Sequence, residues 1–410
     1  MRTRRPQIRI ATVNNYYYLR GGAERVLFDE ESMLRAHGHE VLPFSAGWAQ
    51  NFPAETSHYF IGRKNLYRTF SLRSPADAFR LIHNRREGKA FARLLEEMRP
   101  ELVHCHNIYG TLTTAILDES NKRGIPTIMT VHDAKLVCPS YLCFHRGVVC
   151  EACSGLHFYH CMLNRCHKES FLASAGYTIE AYYNKWLRKY ETLRCVITPS
   201  RFLKALLEKN GYPADWIMYL PNAVDVKRIV PKFQPGKYVL YVGRLSKEKG
   251  VLSLLKAIKD TNIPLRIAGD GPVRPEAEAY AQRHKIAHVR FEGYQKDREL
   301  IELFENAAFI VMPSECNENG PISLLEAYAY GKPVLGARIG GIPEFIIPGE
   351  TGDLFESRNV DQLRVKLTQM WTDREKIAEQ GRVARRLVEE QYSLERHYEG
   401  LMQIYKRYVI

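Results

Sequence analysis

Long apolar runs are absent. Nowhere in the 410 residues do about eighteen apolar residues follow one another, which excludes a membrane-spanning helix. The basic start, Met1-Arg2-Thr3-Arg4-Arg5, has no apolar stretch behind it, because Asn14 to Tyr18 interrupt Ile8 to Val13. No secretory leader is expected, and a cytoplasmic chain is. Repeats, low-complexity tracts and tails are also lacking, so a solenoid or linker-dominated architecture is not expected. No nucleic-acid-binding motif accompanies the net charge of +13. That charge is uneven: Met1 to Asp225 hold 30 basic and 21 acidic residues, the remainder 29 and 25. A basic first half without such a motif points to anionic lipid or a phosphorylated acceptor as partner, not to nucleic acid. What is present is ordinary for a folded chain with sizeable cores: 45% hydrophobic residues, at a length that suits two domains.

The stretch from Arg63 to Lys89 is unusually basic: only Asp77 and Glu87 oppose Arg63, Lys64, Arg68, Arg73, Arg80, Arg85, Arg86 and Lys89. Leu66, Tyr67, Phe70, Leu72, Phe79, Leu81 and Ile82 are interleaved with them. Such a stretch suits either an anionic membrane surface on the inner face of the cell membrane or a solvated helical hairpin that caps the domain. Cysteine is concentrated in one place. Cys138, Cys143, Cys150, Cys153, Cys161 and Cys166 are six of the nine cysteines within 29 residues. Cys150-x2-Cys153 is a metal-type spacing, and Cys161 with Cys166 would close a four-thiolate set. A structural zinc ion would organise this aperiodic segment, an iron–sulfur cluster would use the same ligands, and free buried thiols would simply pack.

The stretch Pro313 to Gly331 organises the second half. Ala308 to Met312 read as a buried strand, Pro313 to Gly320 as a polar loop, and Pro321 marks the start of a helix that Gly331-Lys332-Pro333 ends. In an open α/β sheet that loop lies at the carboxyl ends of the strands, and the following helix start suits a phosphate. Glu318 in the loop and Glu326 in the helix can enter one pocket from different depths. Upstream, a strand over Tyr238 to Val242 leads into Arg244 and Lys249, a spacing that can clamp two phosphates. In the first half, Gly21 and Gly22 join a strand at Arg9 to Asn14 to a helix at Ala23 to Ala36, and His132-Asp133 end a strand at Pro126 to Val131.

These elements, in order, resemble the retaining glycosyltransferases of the large GT-B family 4. The resemblance is carried by Glu318-x7-Glu326, Gly340-Gly341-Ile342-Pro343-Glu344, Pro221-Asn222-Ala223-Val224-Asp225, Val242-Gly243-Arg244-Leu245-Ser246 with Lys249-Gly250, Gly269-Asp270-Gly271-Pro272, Gly21-Gly22 and His132-Asp133. It spans nearly the whole chain. One departure is Asn319-Gly320-Pro321, where many relatives carry an aromatic residue and a second glycine; this bears on the choice of donor sugar. The resemblance implies an α/β protein of GT-B fold, two Rossmann-like, doubly wound domains facing across a cleft. Residues 1–220 would form the acceptor domain, with the cysteine-rich segment at 136–168. Residues 221–390 would form the donor domain, and a helix in 391–410 would cross back to the first. The implied donor is a nucleoside-diphosphate sugar of UDP or GDP type, the acceptor a glycan or lipid-linked hydroxyl in surface polysaccharide or glycolipid synthesis. Arg244 and Lys249 would neutralise the diphosphate, Glu326 would hold the ribose, and Glu318 the sugar. The backbone of Asn319, Gly320, Pro321 and Ile322 would assist. Gly21 and Gly22 would lie near the donor phosphates or the acceptor, and His132, its tautomer set by Asp133, would face the donor sugar. No Asp-x-Asp motif is present, so a reaction without Mg²⁺ and with no catalytic cofactor is expected. Cysteine-bearing insertions after the His-Asp step occur in a subset of the family. Two other readings fit the same architecture: a nucleotide-sugar epimerase, and a catalytically silent lipid- or metal-binding scaffold.

Overall fold

Short, continuously apolar runs separated by amphipathic helical stretches can bury both faces only in parallel sheets covered by helices on each side. The computed structural model describes residues 7–61 and 75–409. Met1 to Arg5, and Arg63, Lys64, Leu66, Tyr67, Arg68, Phe70, Leu72 and Arg73 of the basic stretch, lie outside the described residues.

The chain forms two six-stranded, all-parallel sheets. The first comprises β1 (Arg9–Val13), β2 (Glu40–Phe44), β3 (Leu102–Cys105) and β4 (Thr127–Thr130). A small antiparallel hairpin follows, β5 (Phe144–His145) and β6 (Val148–Val149), and then β7 (Cys195–Thr198) and β8 (Ile217–Tyr219) complete the first sheet. Its strand order is β2-β1-β3-β4-β7-β8. The second sheet takes β9 (Tyr238–Val242), β10 (Leu265–Ala268), β11 (Val289–Gly293), β12 (Ala307–Met312), β13 (Val334–Arg338) and β14 (Gly352–Glu356) in the order β11-β10-β9-β12-β13-β14. Both sheets are doubly wound. The order reverses between β1 and β3 in one and between β9 and β12 in the other, and ligands bind in the crevice at such switch points.

β14 had no counterpart in the sequence reading: it opens on a glycine and carries Asp353 and Glu356, so its apolar signal is weak. A long helix runs Phe171–Trp186. Ser170 caps its start, accepting from the Ala173 amide, and Arg188, at φ 50°, lies beyond its end. Pro321 precedes the helix Ile322–Ala329 in an extended conformation instead of forming its first turn. No described helix is long and apolar enough to cross a membrane.

The last helix, Leu394–Tyr405, packs on the first sheet. Tyr398, Leu401, Met402, Ile404 and Tyr405 are buried against Ile8, Ile10, Met33 and Leu34. Each such side chain contributes roughly 1.5–3 kcal/mol. The helix also ties down the crossover between the domains. His397 Nδ1 pairs with the Pro221 carbonyl at 2.8 Å, and its Nε2 with Glu30 Oε1 at 2.9 Å.

Candidate functional site

The carboxyl ends of β9 and β12 lie side by side at the second switch point. β9 leads into the short helical turn Lys247–Lys249, and β12 into the loop that carries Glu318. Gly250 lets the two approach: at φ 71°, any Cβ there would sit 1.8 Å from the Pro313 carbonyl oxygen, so only glycine fits. The approach brings Lys249 Nζ to 2.6 Å from Glu318 Oε1, and Ser314 Oγ donates to the same oxygen at 2.7 Å. Burial pulls the Lys249 ammonium pKa down, but the adjoining Glu318 carboxylate outweighs it, and the net shift is upward. Lys249 is therefore held as a cation. Arg244, five residues before Lys249 in the chain, is exposed and makes no ion pair among the described residues.

The loop is fixed from behind by the next turn. The Gly341 amide donates to the Glu318 carbonyl at 2.7 Å, and a Cβ at Gly340 (φ 55°) would come within 2.5 Å of the Glu318 amide nitrogen. It is fixed across the cleft too. Asn222 Nδ2 donates to the Gly320 carbonyl at 2.7 Å, and Asn319 Nδ2 to the His132 carbonyl at 3.5 Å. Glu344 closes the domains further: its carboxylate accepts from the Arg201 and Phe202 amides at 2.7 and 2.5 Å, at the start of the helix Arg201–Lys209.

Glu326 sits in the helix Ile322–Ala329, facing the first domain. Arg25 Nη2 approaches Glu326 Oε1 at 3.7 Å, and Arg25 Nε binds Asp29 at 3.3 Å. Burial raises the Glu326 pKa, Arg25 lowers it and Asp29 raises it, leaving it at about 7. Gly22 faces the same helix, since a Cβ added there would lie 3.5 Å from Ile322 Cδ1.

His132 is half-buried, and its pKa falls to about 3 through desolvation and the neighbouring His106, so the ring is neutral. Asp133 was expected to orient it. Instead Asp133 Oδ1 accepts from the Lys135 amide at 2.9 Å, and His132 Nε2 shares a hydrogen bond with His106 Nδ1 at 3.0 Å. His106 is 3.4 Å from Glu30 Oε2, and Glu30 pairs in turn with His397. Burial would raise the Glu30 pKa, but the charges and hydrogen bonds of His106, His104 and His397 hold it well below the usual range. The His397 pKa is correspondingly raised, burial being outweighed by Glu30. A polar chain thus runs from the cleft through His132, His106 and Glu30 to the crossing helix and the Pro221 carbonyl. Sequence reading missed His106, Glu30 and Arg25, and named Glu344 only as the end of a motif, without a role. One usable signal was His104-x-His106, two histidines on one face at a strand end.

Among the described residues, only Glu30, His104 and His106 bring three potential metal-ligating atoms within 4.8 Å of one another. Cys150, Cys153, Cys161 and Cys166 are not gathered to that distance. The sulfur contacts of the segment are Cys138 Sγ with Ser140 Oγ at 3.2 Å and Cys166 Sγ with His145 Nδ1 at 4.0 Å.

The family model for Glycosyltransferase Family 4 matches residues 20–228, and that for Glycosyl transferases group 1 matches residues 225–387. The chain is 29% identical over 248 residues to the D-rhamnosyltransferase WbpZ of Pseudomonas aeruginosa, covering 60% of this chain and 61% of that protein. It is 30% identical over 227 residues to a lipopolysaccharide 1,2-N-acetylglucosaminetransferase of Salmonella typhimurium, covering 49% and 58%. The chain thus spans about three-fifths of the length of these curated relatives. The structure of Anabaena Alr3699/HepE in complex with UDP-glucose superposes with a TM-score of 0.66 at 15% identity, covering 98% of this chain and 100% of that one. The fold is that of the GT-B glycosyltransferases.

Proposed function

The chain belongs to glycosyltransferase family 4, and on that premise we propose that it is a retaining transferase. It moves a sugar from a UDP- or GDP-type donor to a hydroxyl of a glycan or lipid-linked acceptor in surface polysaccharide or glycolipid synthesis. The observation that carries the reading is the Lys249–Glu318 pair at the switch point, with Arg244 exposed on the same β9 loop. A nucleoside diphosphate presents two phosphates to this corner. It would take Lys249 over from Glu318, leaving the carboxylate free to accept from sugar hydroxyls. Arg244 and Lys249 then stabilise the departing diphosphate in a site with little water, where such charges act strongly. Glu326, with a pKa of about 7, is ionised enough at neutral pH to accept from both ribose hydroxyls.

His132 serves as a neutral hydrogen-bond partner of the donor sugar, since a ring with a pKa near 3 is not a proton donor at neutral pH. Retention follows a front-face route, in which the leaving phosphate oxygen takes the acceptor's proton while the acceptor oxygen bonds to the anomeric carbon. No carboxylate acts as nucleophile. Because two cationic side chains serve the diphosphate, the reaction proceeds without Mg²⁺. An anionic, lipid-linked acceptor is supported by the surface of the first domain. On the helix Phe171–Trp186, Leu172, Ile179 and Trp186 recur every seven residues and are 75%, 56% and 75% exposed, next to the basic Lys185.

The test is turnover of UDP- and GDP-sugars with lipid-linked acceptors in the presence of EDTA, the product's anomeric configuration being read by proton NMR. A product with the donor's configuration is expected. An inverted product, or turnover that requires Mg²⁺, contradicts the mechanism, and conversion of the sugar nucleotide without acceptor identifies an epimerase.

A further inference from the structure

Behind the cleft, two buried polar atoms have no hydrogen-bond partner among the described residues. They are Glu30 Oε2, on the helix Gly22–Ala36, and His106 Nε2, immediately after β3. Their residues are almost fully enclosed, at 3% and 0% exposed. The two atoms stand 3.4 Å apart, and His104 Nδ1 lies 3.5 Å from the same carboxylate oxygen. All three atoms fall within 4.8 Å of one another. A buried carboxylate oxygen and ring nitrogen are costly to leave unpaired.

Distance separates the groups that could join them. A charge-assisted hydrogen bond would draw Glu30 and His106 to about 2.7–2.9 Å, well inside the observed 3.4 Å. A bridging water holds its partners at about 2.8 Å, so atoms spaced as these are would meet it at only about 75°. Zinc holds imidazole nitrogen and carboxylate oxygen at about 2.0–2.1 Å, and the same spacing then subtends about 115°, close to tetrahedral. The outer sides of these residues are held as those of metal ligands are. His104 Nε2 lies 2.8 Å from Thr130 Oγ1, and His106 Nδ1 lies 3.0 Å from His132 Nε2. Each ring can therefore donate its outer N–H and turn a lone pair inward. Glu30 Oε1 is held by His397 Nε2 at 2.9 Å.

We propose that Glu30, His104 and His106 bind a structural zinc ion, with Tyr405 of the crossing helix as the fourth ligand. The Tyr405 hydroxyl is 2.8 Å from His104 Nδ1. On binding it gives up that hydrogen bond and meets the metal as phenolate, releasing one proton. Four buried protein ligands leave no open position, so the ion is structural and not catalytic. It joins the helix Gly22–Ala36, the end of β3 and the helix Leu394–Tyr405 at one point. It is a different site from the four-thiolate set that cysteine spacing suggested. The ion also settles a tautomer. With Nε2 on the metal, His106 Nδ1 carries the proton and donates to His132 Nε2, which leaves the His132 proton on Nδ1. That His132 uses this N–H toward a donor sugar rests on the transferase reading; the metal site does not.

The test uses the full chain purified without chelator, with elemental analysis of wild type, Glu30→Gln and His104→Gln. The cysteine-rich segment could carry metal of its own, so the readout is the difference. Each variant should hold about one zinc per chain less than wild type. Because a variant can lose metal by failing to fold, zinc X-ray absorption is also measured on wild type. A shell of nitrogen and oxygen at about 2.0–2.1 Å is expected. Metal-free wild type overturns the proposal, as do equal zinc in all three proteins, iron in place of zinc, and a shell of sulfur alone at about 2.3 Å. Sugar transfer by metal-free wild type would remove the zinc site and leave the transferase reading standing.

Discussion

Glu326 opposes folding and serves the ligand, and Glu326→Gln separates the two effects. Its carboxyl pKa rises from an ordinary 4.5 to about 7, first through burial and then through Asp29, with Arg25 working against both. The folded protein therefore binds this proton more tightly than the unfolded chain. Between pH 4.5 and 7 the folded state holds more protons, so stability falls as pH rises through that window and levels off above it. The shift corresponds to about 3 kcal/mol, and the 18% of the side chain that remains exposed brings this to about 2 kcal/mol. Glutamine keeps the shape and carries no charge. At pH 8 it should stabilise the protein by about 2 kcal/mol, a rise in Tm of about 4–8 °C for a domain of this size, against about 1–2 °C at pH 5. The assay is thermal unfolding of wild type and Glu326→Gln from pH 5 to 8.5, with donor titrations at each pH. The variant should be more stable at pH 8 and bind donor at least tenfold more weakly, because an ionised acceptor for the ribose hydroxyls is lost. A Tm difference that does not grow with pH, or a variant less stable at pH 8, would refute the reasoning.

Lys249→Ala and Glu318→Ala should each lower kcat/KM by at least 100-fold, about 3 kcal/mol of transition-state stabilisation, with Tm changed by only a few degrees; steady-state kinetics and thermal unfolding check both. His106→Gln should lower kcat about tenfold at unchanged KM for donor, because His132 loses its partner on the side away from the cleft; an unchanged kcat removes His106 from the account. Glu344→Ala uncaps the helix Arg201–Lys209 across the cleft and should cost about 1 kcal/mol of domain closure. Its radius of gyration in small-angle scattering should rise, and addition of donor should return it to the wild-type value.

The parallel sheets were legible because strands buried on both faces are continuous apolar runs. Tyr238 to Val242 has the bounds that its sequence suggests. β14 was not, since its glycine and charged residues give no such run. In the candidate site, residues close in sequence to a glycine turn or a strand end could be named: Gly22, Lys249, Glu318 and His132. What escaped is what only folding brings together. Arg25 meets Glu326 from about 300 residues away in sequence, and Glu344 caps a helix 142 residues earlier. Asp133 was the natural partner for His132 by adjacency, but neighbours along a chain leaving a strand diverge, while β3 and β4 pair in parallel and set His106 beside His132.

Donor binding tests the central claim most directly. A thermal-shift panel of UDP-, GDP-, ADP- and dTDP-sugars would be run on wild type and on Lys249→Ala. The account predicts a clear rise in Tm with a UDP- or GDP-sugar and its loss in the variant. A rise of equal size in both proteins, or none with any nucleotide sugar even after acceptor is added, would contradict it.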